Sequence, residues 1–373
     1  MPFKSLMSVQ LLEPTIYVEP IFDATLVIRG TINVNLPSTT TVKSISVQFD
    51  GKMEVNSYFS SVMNAGGYSK KRSIAHHRLV LYPAMEQTDT NCPLILKSGL
   101  THYSFEMQVP SSLPETIDCP DVKVNYHVTA VMEYESNSFL RVGRSNTTKS
   151  CTKQDVRIAR LPSGNLLAGN NACEFIDSRT HTSAWLQYQI LVDKKSIALG
   201  SELPITFRII PTRENVSVEG VSVYILERRD VFGKYAHTSH EVQPLLPAAT
   251  NEKKVPKTAL PELWEGTIRY SIPVGKSLVH STMANEDFDI KHTLLVSMIL
   301  TTPGGVGGNI QKLVTFQSKI DLLDEAIGKL GSLKVPTYDS PPPFDDSIFV
   351  YGEYDRKFTD PTAYSDIHDD ERN

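Results

Sequence analysis

The feature that most constrains this chain is a series of short segments in which apolar residues tend to recur at every second position. In residues 25–36 the apolar side chains include Leu26, Ile28, Ile32 and Val34. Alternation with a period of two is typical of strands that bury one face. These segments are rich in β-branched and aromatic residues, which favour strands. Because long runs at helical spacing are missing, the sequence predicts an all-β fold.

The predicted strands fall into two series separated by a linker. Many short strands bounded by Gly, Pro, Ser and Asn are typical of β-sandwiches. We therefore predict a sandwich over 1–160, a linker over 161–171, a second sandwich over 172–325 and a disordered acidic tail over 326–373. The predicted strands are 25–36, 42–49, 77–82, 103–109 and 122–134 in the first series, and 185–192, 202–210, 216–227, 264–272, 290–300 and 311–320 in the second.

Three further segments have their own patterns. Residues 324–333 have the spacing of one weak helix, and the glycine-rich stretch 304–308 predicts a hairpin loop between the last two strands. The lysine-bearing stretch 247–261 predicts a mobile loop.

Charge divides unevenly between the body and the tail. The chain has 37 Lys and Arg against 42 Asp and Glu, a net charge of −5. From Asp324 onwards there are 12 acidic and 5 basic residues, so the tail carries −7 and the body +2. A nucleic-acid-binding protein normally carries a basic excess, so we expect no nucleic-acid partner.

Nothing in the sequence predicts a membrane span or a cysteine site. A membrane helix needs about 18 consecutive apolar residues, and the best candidate, 294–300, is far shorter. The four cysteines have no CxxC spacing, which indicates neither a zinc site nor a redox pair. The expected environment is the reducing cytosol, so the sequons at Asn146 and Asn215 are chance matches.

Enzyme motifs fail on inspection. Gly275-Lys276-Ser277 imitates the end of a phosphate-binding loop, but the required earlier glycine is Tyr270. There is no GxSxG and no HExxH. We expect no catalytic residue, metal ion or cofactor, although a catalytic pair assembled by the fold stays open. The histidine groups at 76–77 and 237–240 and the pair Asp287 and Asp289 are expected to be solvated residues of loops and strand ends.

A short basic stretch is the first candidate binding site. Lys70, Lys71 and Arg72 lie in a Ser- and Gly-rich segment, 64–73, that predicts a loop. Each basic residue near an anionic membrane surface contributes about 1 kcal/mol, so three allow transient lipid contact. A solvated loop with no ligand is the alternative.

The tail holds the second candidate site, two proline-rich elements that each end in an aromatic residue. Consecutive prolines favour the polyproline II helix, which docks into the aromatic grooves of WW-type domains at low entropic cost. The first element ends in Tyr338, whereas the second ends in Phe344 and lacks the hydroxyl, so it is expected to bind more weakly. A plain linker is the alternative. The predicted WW-binding residues are Val335, Pro336, Tyr338, Pro341, Pro342, Pro343 and Phe344.

Together the strands and the tail resemble the arrestin family, specifically the α-arrestins or arrestin-related trafficking adaptors. The resemblance covers about residues 15–325 in family order. It rests on 27–32, 42–51, 103–105, 109–115 and 124–130 in the first half, and on 242–247, Trp264 and 290–296 in the second.

The resemblance implies two β-sandwiches that recognise a membrane transporter or receptor as cargo. It also implies that PY motifs in the tail recruit a HECT-type ubiquitin ligase through its WW domains, so that the cargo is ubiquitinated and sorted. Such a protein is cytoplasmic and peripheral at the plasma membrane, endosomes or Golgi. This sequence contains no complete PPxY. A ligase-independent sorting scaffold, similar to the arrestin-like subunit of retromer, is therefore the alternative.

Overall fold

A computed structural model describes residues 6–19, 25–61, 64–83, 94–135, 147–162, 175–233, 236–249, 260–283, 285–304 and 308–330. Within these ranges the chain forms twenty β-strands and one short α-helix. Over the same ranges, no helix is long and apolar enough to cross a membrane. Most of the predicted linker and all of the predicted WW-binding residues lie outside the described residues.

The first half forms two sheets. One is three-stranded, in the order β1-β3-β7; the other has the order β2-β10-β9-β4-β5, with β6 paired to β4 and β8 paired to β9. The strands are β1 Met7–Leu11, β2 Thr15–Val18, β3 Thr25–Leu36, β4 Thr40–Ser61, β5 Asn64–Tyr82, β6 Leu94–Leu96, β7 Gly99–Pro110, β8 Ile117–Asp118, β9 Val122–Glu135 and β10 Thr147–Arg160.

Alternation along the strands builds the core between these sheets. Ile28 and Ile32 of β3 face Val47 of β4 and Val128 of β9 in one buried cluster. Burying such side chains stabilises the fold by about 1.5–3 kcal/mol each. The first half is therefore a β-sandwich, as the sequence predicts.

The second half is one ten-stranded sheet that folds over on itself. Its order is β11-β13-β15-β18-β17-β16-β19-β20-β14, with β12 paired to β13. Phe207 of β15 and Leu294 of β19 meet in a common buried cluster, which makes two layers. The elements are β11 Ile176–Asp177, β12 His181–Thr182, β13 Leu186–Val192, β14 Ser196–Ala198, β15 Glu202–Pro211, β16 Ser217–Val231, β17 His237–Pro247, β18 Trp264–Ser271, β19 Phe288–Pro303, β20 Asn309–Leu323 and α1 Glu325–Leu330.

The apolar core of the first sandwich continues across the boundary between the halves. Val231, Val279, Phe288 and Ile290 come from the second half, yet they belong to the buried cluster of the first. The two sandwiches therefore meet through an apolar contact.

Tyr126 positions the segment that faces the second sandwich. Its ring stacks on Phe49 with centroids 5.6 Å apart, and its hydroxyl donates to the Pro114 carbonyl oxygen at 2.7 Å. Gly51 makes room for this ring, since a Cβ there would lie 2.6 Å from it. The result is a fixed path for residues 111–121 between β7 and β9.

The all-β prediction is confirmed, and the weak helix is confirmed as α1. Ala326 and Ile327 of α1 are buried. Residues 326–330 are thus folded, whereas the predicted tail begins at 326. The hairpin before β20 is also confirmed, because β19 and β20 are antiparallel with Pro303 opposite Asn309.

Candidate functional site at the junction of the two sandwiches

A buried cluster of charges joins the turn before β9 to β16 and β17. Arg229 Nη1 lies 3.3 Å from Asp121 Oδ2, and Arg229 also pairs with Glu227 of its own strand. Asp121 accepts a hydrogen bond from Ser239 Oγ at 2.8 Å, and its Oδ1 lies 3.1 Å from His237 Nε2. Arg229, Asp121 and Glu227 each expose at most 7% of the side chain. Charges buried to this degree need partners, and here the first sandwich supplies Asp121.

The strand pattern explains how two charges come to face inward. Val223, Ile225 and Val231 of β16 are buried, and Glu227 and Arg229 occupy the same parity of the strand. Side chains on one parity share one face of a sheet. Glu227 and Arg229 therefore point into the junction rather than to solvent.

Glu227 is held as a carboxylate by donors on the second sandwich. His292 Nε2 lies 3.0 Å from its Oε2, and Val279 N–H donates to the same oxygen at 2.8 Å. Burial opposes ionisation of Glu227, but the bonds from His292 and Val279 outweigh it. The pKa of Glu227 therefore lies below its ordinary value.

Ser281, His292 and Glu227 have the order of a serine-hydrolase triad. Ser281 Oγ lies 2.9 Å from His292 Nδ1, which leads on to Glu227. Ser281 is buried, however, and its Oγ accepts Leu322 N–H at 2.9 Å. This array therefore ties β16, β19 and β20 together, and it gives no support to a nucleophilic serine.

A second buried cluster centres on Arg160 at the end of β10. Its Nη2 lies 2.7 Å from Asp321 Oδ1 of β20, and its Nε lies 3.3 Å from Glu115 Oε1. Glu115 also accepts Met283 N–H at 3.1 Å. Arg160 exposes only 8% of its side chain. The Arg160 guanidinium thus pairs with one carboxylate of its own sandwich, Glu115, and one of the second sandwich, Asp321.

Arg157 extends this contact to the start of α1. Its Nη2 lies 2.8 Å from Asp324 Oδ2 and its Nη1 3.1 Å from Glu325 Oε1. Asp324 Oδ1 accepts Ala326 N–H at 2.8 Å and so caps the helix. The hydrogen bond from Arg157 lowers the pKa of Glu325.

The structure corrects the predicted loop around Lys70, Lys71 and Arg72. These residues lie in β5, paired to β4. A Ser- and Gly-rich sequence has weak strand propensity, but pairing with a neighbouring strand overrides it. Lys70 Nζ lies 3.8 Å from Asp287 Oδ1, Arg72 also pairs with Asp287, and Lys71 lies 3.3 Å from Glu54.

Several residues expected to be solvated are instead buried or paired. Asp287 receives the two cations from β5, and Asp289 is buried beside Lys291. His237 lies against Asp121, as described above, whereas His240 of the same strand is exposed. The wrong expectations for Asp287 and His237 share one cause, because residues of the first sandwich lie against these two side chains, which look peripheral along the sequence.

Cysteine and metal chemistry receive little support from the described part of the chain. Burial raises the pKa of the Cys119 thiol to about 11, which makes it a poor nucleophile at neutral pH. No group of three or more potential metal ligands occurs among the described residues.

Each half of the chain matches a known protein family. Residues 18–153 match the family described as "Arrestin (or S-antigen), N-terminal domain". Residues 182–322 match "Arrestin (or S-antigen), C-terminal domain". The fold is thus that of an arrestin, and the chain belongs to the arrestin family.

Similar curated proteins come from yeasts. The chain is 24% identical to the arrestin domain-containing protein C31A2.12 of Schizosaccharomyces pombe, over 74% of this chain and 45% of that protein. It is 25% identical to arrestin-related trafficking adapter 3 of Saccharomyces cerevisiae, over 63% of this chain and 22% of that protein. The chain spans less than half the length of these relatives. The adapter name is consistent with the α-arrestin branch.

The buried cluster that contains Glu227 and Asp121 predicts how the free energy of unfolding depends on pH. The pKa values of Glu227 and Asp121 are lowered by folding despite their burial. Their stabilisation is therefore complete above their ordinary values, 4.5 and 3.8, and is lost as the pH falls through the lowered values. We expect Glu227→Gln to lower the free energy of unfolding at neutral pH by about 3 kcal/mol. We also expect the free energy of unfolding of this variant to fall less steeply than that of wild type as the pH is lowered. Urea unfolding across the pH range measures both.

The matched control is Glu265→Gln, which removes an exposed pair with Arg208. This variant should lower the free energy of unfolding by less than about 1 kcal/mol. Its free energy of unfolding should depend on acidic pH as in wild type. Equal losses and equal slopes for the two variants would contradict a buried, stabilising carboxylate at 227.

Proposed function

We propose that this protein is a trafficking adaptor that links a membrane transporter or receptor to a WW-domain HECT-type ubiquitin ligase. The match of both halves to arrestin domains carries the proposal. The protein works in the cytoplasm and is peripheral at the plasma membrane, endosomes or Golgi. Cargo ubiquitination then leads to endocytosis or endosomal sorting.

The arrestin body is the cargo-binding part of this proposal. A similar protein is named a trafficking adapter. Two sandwiches locked by buried charges present surfaces of fixed relative orientation, which lowers the conformational cost of binding a partner.

The tail is the ligase-binding part. Val335, Pro336 and Tyr338 form the stronger element, because tyrosine adds a hydroxyl to the aromatic ring. Pro341–Pro343 with Phe344 form the weaker one. Two weak motifs in one chain engage tandem WW domains with higher avidity, since the second binding event is intramolecular.

A ligase-independent sorting scaffold is the second candidate, favoured by the absence of a complete PPxY in the sequence. The two candidates differ in what the tail does. Deleting 334–373 abolishes cargo ubiquitination if the tail recruits a ligase, and leaves cargo sorting intact if the body acts as a scaffold.

The proposal also includes contact with anionic lipid through Lys70, Lys71 and Arg72, now as residues of strand β5 and not of a loop. All three side chains are partly exposed, at 55%, 74% and 43%. Two of them already share the carboxylate of Asp287. A lipid phosphate therefore competes with Asp287, so lipid contact and this link between the sandwiches oppose each other.

The ligase claim predicts an ordered effect of tail substitutions. Tyr338→Ala should weaken binding of the full chain to isolated WW domains by about tenfold, and Phe344→Ala by about threefold, since aromatic anchors dominate such contacts. Titration calorimetry measures both. Tyr364→Ala is the control, because no proline lies two places before Tyr364. Unchanged binding by the double variant would refute ligase recruitment through these motifs.

The lipid claim predicts a gain on removing Asp287. Asp287→Asn releases two cations, so binding to vesicles containing phosphatidylserine should increase about fivefold at low salt. Arg72→Gln should reduce it. Vesicle co-sedimentation reports the change. Asp155→Asn alters the net charge equally and releases Lys153 from an exposed pair. An equal gain in this control would attribute the effect to net charge alone.

A further inference from the structure

Alternate residues of β5 form a stripe of one aromatic and two basic side chains. Tyr68, Lys70 and Arg72 lie two positions apart, and side chains on one parity of a strand share a face. Tyr68 is 41% exposed, and Lys70 and Arg72 expose 55% and 43% of their side chains. Lys71 lies on the opposite face, where it pairs with Glu54 of β4. Two of the three neighbouring basic residues therefore belong to this stripe, and Lys71 does not.

The loop between β16 and β17 brings a second aromatic side chain to the stripe. Val231 ends β16 and is buried in the core of the first sandwich. Phe232, the next residue, is 45% exposed. Its N–H donates to the carbonyl oxygen of Asp287 at 2.8 Å. The carboxylate of the same Asp287 receives Lys70 and Arg72, so the backbone of Phe232 is fixed beside the residue on which both cations converge.

Backbone groups shape this loop, which leaves the Phe232 ring available to a ligand. Gly233 has a φ of +97°, in the left-handed region that favours glycine, and its carbonyl oxygen accepts the Ala236 N–H at 3.2 Å. Turns of this kind normally use Gly, Asn, Asp, Ser or Pro. An exposed aromatic ring beside basic residues is instead typical of surfaces that lie in the membrane interface, where aromatic rings sit at the level of the lipid headgroups.

We propose that Phe232 and Tyr68 are the apolar anchor of an anionic-lipid site whose cations are Lys70 and Arg72. The inference rests on the lipid contact in the proposed function and adds the part of the site that enters the bilayer. Lys70 and Arg72 share the single carboxylate of Asp287, so the stripe keeps a positive charge that complements an anionic membrane. The two rings enter the boundary between headgroups and acyl chains while the cations pair with lipid phosphates.

An apolar anchor changes how lipid binding depends on salt. Interactions between exposed charges are largely screened at about 0.5 M salt, whereas the burial of apolar surface is not weakened by screening. Contact through cations alone is therefore lost at this salt concentration. Contact that includes the Phe232 ring should persist in part.

Co-sedimentation of the full chain with phosphatidylcholine vesicles that contain about 30% phosphatidylserine tests the anchor. Phe232→Ser should weaken binding about tenfold at both about 0.1 M and about 0.5 M salt, because it removes apolar surface from the contact. Phe175→Ser is the matched control, since it removes an exposed phenyl group just before β11, an edge strand of the second sheet. Binding of this control should equal that of wild type.

A matched pair of lysine variants tests which face of β5 meets the lipid. Lys70→Gln should weaken binding about fivefold at about 0.1 M salt, since it removes one cation from the stripe. Lys71→Gln makes the same change of charge on the opposite face and should weaken binding by less than about twofold. Equal losses for the two variants contradict the assignment of the stripe.

Fluorescence of Phe232→Trp detects insertion directly and does not depend on the folding of the serine variant. The wild-type chain contains two tryptophans, Trp185 and Trp264, which give the background signal. With vesicles brominated on the acyl chains, Phe232→Trp should show additional quenching, and Phe175→Trp should show none.

The outcomes separate the anchor from the electrostatic contact. Wild-type binding that disappears at about 0.5 M salt overturns the anchor and leaves the lipid contact of the proposed function standing. Unquenched Phe232→Trp does the same. Vesicle binding by Phe232→Ser equal to that of wild type assigns the ring to a protein contact and also overturns the anchor. Absence of wild-type binding at low salt refutes both the anchor and the lipid contact.

Discussion

The burial of paired charges between two β-sandwiches is the constraint on which the rest of this structure depends. Arg160 belongs to the first sandwich and needs Asp321 of the second, whereas Arg229 belongs to the second and needs Asp121 of the first. A buried charge without a partner is strongly destabilising. Each sandwich therefore supplies a charge partner that the other needs, and the two behave as one folding unit. The apolar contact around Phe288 adds to this interface.

This arrangement links the candidate surfaces to the junction. The basic part of β5 reaches Asp287 of the second sandwich, and the segment positioned by Tyr126 carries Glu115 and Thr116 into the contact. A ligand that takes Lys70 or Arg72 away from Asp287 therefore acts on the contact between the two sandwiches.

The local sequence pattern is enough to predict the strands, but it does not predict the junction between the two sandwiches. The predicted strand 25–36 coincides with β3, because an interrupted alternation still fixes which side is buried. The Ser- and Gly-rich sequence at the start of β5 predicts a loop, because only its pairing with β4 makes it a strand. A usable signal for the site was present in β16: Glu227 and Arg229 continue the buried parity of Val223 and Ile225. Asp121, the partner of Arg229, is 108 residues away in sequence, and no local pattern identifies it.

Differential scanning calorimetry of the full chain tests most directly whether the buried charges make the two sandwiches one unit. The account predicts a single cooperative transition for wild type, with equal calorimetric and van't Hoff enthalpies. It also predicts that replacing Arg160 and Arg229 together by Met splits this transition in two, because each sandwich then unfolds alone. Two independent transitions in the wild-type protein would contradict it.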